Sequence, residues 1–176
     1  MSRLTLPPLV VVMGISGVGK SEVGHTLAER FDVPYEDGDA FHSEANIAKM
    51  SAGTPLTDED RWPWLDAIGE WLDAHDATTG GVVSCSALRR AYRDVLVSAA
   101  PRVVFLHLAG DHDLIRRRME HRDHFMPVSL LQSQEDTLEQ LEPDENGELL
   151  DITPSPAEIV DEFLARTEVV DERGAR

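Results

Sequence analysis

The chain is short of cysteine, of cations and of long apolar runs, and each shortage excludes something. Its 176 residues include one cysteine, Cys85. A lone cysteine forms no internal disulfide, so a stapled secreted fold is excluded. Lys and Arg number 16 against 33 Asp and Glu, a formal net charge of −17. Proteins that grip DNA, RNA or an anionic membrane neutralise phosphates with a surplus of cations. The balance here argues against nucleic-acid and membrane partners, though not against a phosphate held in a small positive pocket. The apolar stretch near the start, MSRLTLPPLVVVMG, is broken by Pro7 and Pro8, is too short to span a bilayer, and lacks a small-residue cleavage site after it. Neither a signal peptide nor an anchor is expected, and a cytoplasmic location is the default. Internal repeats and low-complexity tracts are missing too.

What is present reads as an ordinary globular chain. Hydrophobic residues make up 41 % and charged residues 28 %, enough for a real core, and the length suits a single domain over residues 1–176. Charge is uneven: eight of the sixteen basic residues fall between Arg89 and Arg122, whereas residues 135–172 hold fourteen acids and one base, Arg166. The acidic stretch reads as a solvated face with a loop, and the polar tail over 168–176 as frayed.

Apolar runs and helical periodicities alternate along the chain. Leu9 to Met13 is wholly apolar and ends at glycine, which suits a strand buried on both faces. Helical spacing follows over Lys20–Arg30, then a short extended piece at Val33–Tyr35 and helices at Glu44–Met50 and Asp58–Ala74. The last opens with Thr57 as N-cap and Asp60 three positions on. Strands are expected at Val82–Cys85, Val103–Leu108 and Leu149–Ile152. Helices are expected over 87–99, Asp111–His121, Ser129–Leu141 and Ser155–Arg166. Strands separated by helices need crossovers, so the expected fold is a three-layer α/β/α sandwich with a mostly parallel sheet.

The first strand-to-helix junction carries the sharpest chemical signal. Gly14-Ile15-Ser16-Gly17-Val18-Gly19-Lys20-Ser21 fits G-x-x-x-x-G-K-[ST] throughout. Glycines let consecutive N–H groups turn inward as an anion nest, and the helix start adds unsatisfied donors and partial positive charge. Lys20 can reach the β- and γ-phosphates, and the Ser21 hydroxyl can ligate Mg²⁺. This is a cradle for the phosphates of a nucleoside triphosphate. A guanine-reading N-K-x-D is absent, and neither later strand ends directly in a carboxylate. Asp111, two residues beyond the VVFLHL run, reads better as a helix N-cap than as a metal-side acid. The acid must come from elsewhere, and Asp37-Gly38-Asp39 follows the second strand, where open α/β sheets place ligand groups. One carboxylate there can serve Mg²⁺-bound water and the other an acceptor hydroxyl. The residues alone leave this pair open between that role and an ordinary acidic turn.

The run from Asp37 to Leu65, DGDAFHSEANIAKMSAGTPLTDEDRWPWL, resembles the gluconokinases of the shikimate-kinase-like branch of small P-loop kinases. Cys85-Ser86-Ala87-Leu88 with Arg89, Tyr92, Arg93 and Asp94 matches as well. So does His124-Phe125-Met126-Pro127 with Leu130, Leu131, Ser133, Gln134, Thr137, Leu138 and Glu139. The resemblance covers about residues 10–165 and implies a nucleoside-monophosphate-kinase-like P-loop fold with a short lid over about 118–128. It further implies ATP-dependent phosphorylation of D-gluconate to 6-phospho-D-gluconate, with Mg²⁺, in a homodimer. By the same resemblance Asp39 holds the acceptor hydroxyl and acts as base, and Asp37 serves the Mg²⁺ shell. His42, Arg61, Arg89 and Arg93 surround the sugar acid together with His124, and Arg118 and Arg122 pair with phosphate or stack on adenine. A carboxylate substrate favours arginine's planar fork over a lysine, although each arginine taken singly would more often form a surface ion pair. The lid is one residue shorter than is usual in the family, with only Asp123 between Arg122 and His124. Trp64, Ile68 and Trp71 share a helical face and are expected in the core or an interface. Trp62 is a weaker candidate for stacking on a sugar. Two other readings are kept: a related kinase for a different hydroxy acid or a nucleotide, and a nucleotide sensor without transfer activity.

Overall fold

The computed structural model describes residues 7–121 and 127–167. Five strands form one sheet: β1 (Leu9–Met13), β2 (Tyr35–Asp37), β3 (Gly81–Ser84), β4 (Val104–Ala109) and β5 (Gly147–Asp151). Their spatial order is β2-β3-β1-β4-β5, and all four pairings are parallel. β1 is central and its five side chains are fully buried, as its unbroken apolar sequence requires. The helices are α1 (Lys20–Phe31), α2 (Glu44–Ser51), α3 (Asp58–Asp76), α4 (Arg90–Ala99), α5 (His112–Glu120), α6 (Leu131–Thr137) and α7 (Pro156–Arg166). α1 packs with α7, and α3 with α4. The two pairs lie on opposite faces of the sheet. On β3, Gly81 abuts the Trp71 ring of α3, while the Ser84 hydroxyl donates to the Lys20 carbonyl at the start of α1, and residues three apart on a strand point to opposite sides. The three-layer parallel sandwich expected from the pattern is the observed fold.

Helix starts follow their capping chemistry. Thr57 and Asp60 form a reciprocal capping box on α3, as do Ser155 and Glu158 on α7. Asp111 caps α5, its carboxylate accepting from the N–H groups of Asp113 and Leu114, so it is a cap and not a metal-side acid.

Several element bounds depart from the sequence expectation, β5 for one beginning two residues early at Gly147, and three of the departures have a clear local reason. β2 runs two residues later than Val33–Tyr35 because Val33 N–H closes α1 onto the Ala28 carbonyl and Pro34 has no N–H to give. The shift carries the strand to Asp37. α4 begins at Arg90 rather than at residue 87, since Ala87 is left-handed at φ 45 and Arg89 is extended. The helix expected over Ser129–Leu141 is a 3-10 turn at Val128–Leu130 followed by α6, which stops at Thr137. Beyond it the chain turns extended and Glu139 N–H donates to the Leu88 carbonyl at 2.7 Å.

Candidate active site

In a parallel sheet every strand points its C-terminal end at the same edge, so the turns after β1, β2 and β3 converge there. They enclose a cavity of about 270 Å³. One wall is the glycine loop, with Ser16, Gly17, Gly19, Lys20 and Ser21. The next is Asp37, Asp39 and His42 after β2, and behind these lie Ser84, Cys85 and Ser86 after β3. Arg61 and Trp64 of α3 close the far side, Met50 and Leu56 line the floor, and Ser133 and Gln134 of α6 cover the loop.

The loop is built for anions. Gly14, Gly17 and Gly19 have φ of 141, 85 and 92, values that side-chain-bearing residues rarely adopt. Lys20 Nζ lies 2.9 Å from the Gly14 carbonyl oxygen and 3.0 Å from that of Ile15, so its ammonium is folded along the loop. Ser16 N–H donates to Gln134 Oε1 at 2.6 Å. Nothing in the residue pattern singled out that contact, because it joins positions 118 apart.

The acidic turn is fixed from both sides. Asp37 Oδ1 accepts from Asp39 N–H at 2.9 Å, and Asp37 Oδ2 accepts from the Ser21 hydroxyl at 3.4 Å. A Cβ on Gly38 would sit 2.2 Å from the Ser84 carbonyl oxygen, so only glycine lets the turn lie this close to β3. Trp64 Nε1–H donates to the Gly38 carbonyl at 2.7 Å, tying the turn to α3. Trp64 is thus both core, as its spacing implied, and cavity wall. Ser21 and Asp37 converge as two hard oxygen donors, the set that suits Mg²⁺, which takes one or two protein oxygens and fills its shell with phosphate and water. Among the described residues no cluster of three or more His, Cys, Asp or Glu could hold a metal by itself.

Cations and aromatics shape the opposite side. Arg61 Nη1 donates to the Tyr92 hydroxyl at 2.9 Å, and Tyr92 in turn donates to Asp58. His42 stacks on Trp64 with ring centroids 4.2 Å apart. Burial lowers the His42 pKa, and Arg61 adds to this while Asp39 works against it. Burial pushes the Cys85 thiol up to about 12, so the one cysteine is a neutral wall and no nucleophile. Trp62 packs edge-on against Tyr92 and is not part of the cavity lining.

The structure brings Lys20, Ser21, Asp37, Asp39, His42 and Arg61 together, and it places the other expected residues elsewhere. Arg93, expected beside the sugar acid, is fully buried outside the cavity. Its Nε donates to Glu145 Oε1 at 2.6 Å, its Nη2 to Glu145 Oε2 at 3.1 Å, and its Nη1 to the Ala87 carbonyl at 2.9 Å. This guanidinium braces the corner between β3 and α4, and its donors are engaged there. Arg89 also lies outside the lining, with its guanidinium 3.7 Å from Asp58. Arg118 lines a second hollow of about 330 Å³ that shares Gly17 and Gly19 with the first and continues to Ile152 and Pro154. Its Nη2 donates to the Ile152 carbonyl at 3.3 Å. Arg122 and His124 lie outside the described residues.

A 2-3-1-4-5 parallel sheet with this glycine loop after β1 defines a small P-loop kinase. Comparison with known proteins agrees and is narrower. The shikimate kinase family profile matches residues 16–165. The thermosensitive gluconokinase of Escherichia coli K12 is 43 % identical over 137 residues, 77 % of this chain and 73 % of that protein. The gluconokinase of Gluconobacter oxydans is 45 % identical over 135 residues, 76 % of each chain. Among solved structures, a gluconokinase from Sinorhizobium meliloti superposes with a TM-score of 0.81 at 50 % identity, covering 90 % of both chains. An unliganded sugar kinase from Janibacter superposes at 0.88 with 49 % identity, over 93 % of this chain and 96 % of that one. The chain belongs to the gluconokinase family.

Proposed function

We propose that this protein transfers the γ-phosphoryl group of ATP to the terminal hydroxyl of D-gluconate, giving 6-phospho-D-gluconate and ADP. One observation carries the reading: a single cavity places the phosphate loop and its Lys20 beside Asp39, with Arg61 on the opposite wall, in a chain 43 % identical to a gluconokinase. Lys20 leaves the Gly14 and Ile15 carbonyls to lie against the β- and γ-phosphates, and the loop from Gly14 to Ser21 donates its amides to them. Ser21 and Asp37 would hold Mg²⁺, which would supply positive charge to offset the negative charge that develops on the transferring phosphoryl group. Asp39 accepts the proton of the acceptor hydroxyl as the new oxygen–phosphorus bond forms and the bond to the β–γ bridging oxygen breaks. Arg61, oriented by Tyr92, meets the substrate carboxylate, and a guanidinium suits a planar acid. His42 contacts the same sugar acid. The second hollow takes the nucleoside end of ATP, with Arg118 beside it.

A homodimer and a cytoplasmic location belong to the same reading, and no helix among the described residues is long and apolar enough to cross a membrane. The test is a coupled ADP-release assay across sugar acids, shikimate and nucleoside monophosphates. Turnover with gluconate well above the others is expected. Turnover with a different acid and none with gluconate would reject the substrate while keeping the kinase.

A further inference from the structure

Asn46 is a charge-neutral amide with only 7 % of its surface exposed, in the first turn of α2 and four residues beyond His42. Sequence reading gave it no role, and a buried amide needs partners for its polar atoms. Its Nδ2 lies 2.9 Å from the backbone carbonyl oxygen of Asp60. A carbonyl oxygen only accepts, which identifies that end of the side chain as the NH₂ and fixes which way the amide faces. The second hydrogen of the same NH₂ faces His42 Nδ1 at 3.3 Å. Two donors do not pair, so this contact is a hydrogen bond only where Nδ1 carries the lone pair and the ring proton sits on Nε2.

From this geometry we infer that Asn46 is a positioning residue: it locks His42 in the neutral Nε2–H tautomer, so that the ring presents a hydrogen-bond donor to an oxygen of the acceptor substrate. The inference rests on the sugar-acid reading of the cavity for the identity of that oxygen, and on nothing else in it. Stacking on Trp64 at an interplanar angle of 13° fixes the ring plane, and the contact with Asn46 sets which ring edge faces α2 and which nitrogen carries the proton. The charged groups that act on the ring are Asp39 and Arg61. An imidazolium would turn a second N–H toward the Asn46 NH₂, so the amide opposes protonation in the same sense as burial. A site that offers a fixed donor favours hydroxy acids whose oxygen falls at that corner and rejects analogues that lack it, because the donor is then left unpaired.

The ring can be read directly. In protein carrying ¹⁵N-histidine, long-range ¹H–¹⁵N correlation near pH 7.5 should show His42 Nδ1 without a proton and Nε2 with one, the signals being assigned by their loss in His42→Gln. An Nδ1–H tautomer or an imidazolium at that pH would overturn the inference. The measurement needs no substrate, so its failure is separable from failure of the gluconate reading. Function supplies the second arm. Asn46→Asp offers an acceptor to Nδ1–H and should move the proton to Nδ1. This should lower kcat/KM for the sugar acid about tenfold, the fold-change for losing one well-aligned hydrogen bond, with KM for ATP unchanged. In the His42→Gln background the carboxamide has no tautomer to set, and the same substitution should cost less than about threefold. Equal losses in both backgrounds would show that Asn46 acts only by bridging α2 to α3, and would sink the positioning role. Where Asn46→Asp fails to fold, the wild-type ring spectrum decides alone.

Discussion

Replacing Arg93 by Met separates a buried brace from a substrate ligand. The Arg93 side chain is fully buried and that of Glu145 is 5 % exposed, so the substitution leaves a largely buried carboxylate without its bidentate partner. Breaking a buried pair from one side costs about 3–5 kcal/mol. Two contacts survive for Glu145, the Glu142 N–H at 2.8 Å and Arg90 Nε at 3.8 Å, which places the expected loss near the lower figure, about 3 kcal/mol. For a chain of this size that lowers Tm by roughly 6–12 °C. The pH dependence has a definite sign. Burial works against the Glu145 carboxylate, but hydrogen bonds from Arg93 and the Glu142 N–H, with the Arg93 and Arg90 charges, outweigh it and hold its pKa below 4.5. A depressed carboxylate stabilises the fold above its unfolded pKa and loses that contribution as pH falls through the folded one. The gap between wild type and Arg93→Met should therefore be widest near pH 7 and narrow below about pH 4.5. Urea melts at pH 7.5 and pH 4 measure both, and Arg93→Met with Glu145→Leu should recover much of the loss, since no charge is then left buried. A loss under about 1 kcal/mol, the size expected of an exposed ion pair, together with a raised KM for the sugar acid, would return Arg93 to the substrate site.

Three further outcomes follow from the site. Lys20→Ala should lower kcat by about 10²–10³ through lost charge stabilisation, and wild-type turnover would remove the loop from the phosphates. Asp39→Asn should lower kcat by about 10²–10⁴ with ATP affinity retained by calorimetry; near-normal turnover would take the base role from it. Gly38→Ala places a methyl 2.2 Å from the Ser84 carbonyl oxygen and should cost about 1–3 kcal/mol of stability along with most of the activity. A variant with unchanged melting and kinetics would mean that the turn is not held against β3.

Local chemistry was legible in the chain, and long-range pairing was not. β1 needed only five apolar residues and a glycine, and the caps at Thr57 and Asp111 needed only their side chains and the residues just after them. The glycine loop, with left-handed backbone at Gly14, Gly17 and Gly19, was legible for the same reason, since its eight residues are contiguous. The burial of Arg93 could not be read, because its partner lies 52 residues on in a stretch that otherwise looks like a solvated acidic face. The early end of α6 depends on the Leu88 carbonyl, which no window around Thr137 contains. Asn46 left only a faint signal, an amide four residues after a histidine, and helical spacing does not relate the two because His42 and Ser43 are extended and precede α2.

Gln134 gives the phosphate loop an internal guest, its carbonyl oxygen resting on the Ser16 amide. On the proposed reading, nucleotide arrival at that amide is an exchange of acceptors rather than the filling of a vacancy. The newcomer prevails by its charge, since an ionised acceptor binds an N–H about twice as strongly as a neutral one. In that proposed role, anything less charged than a phosphate would compete there with the protein's own side chain, so the loop would select its ligand by charge.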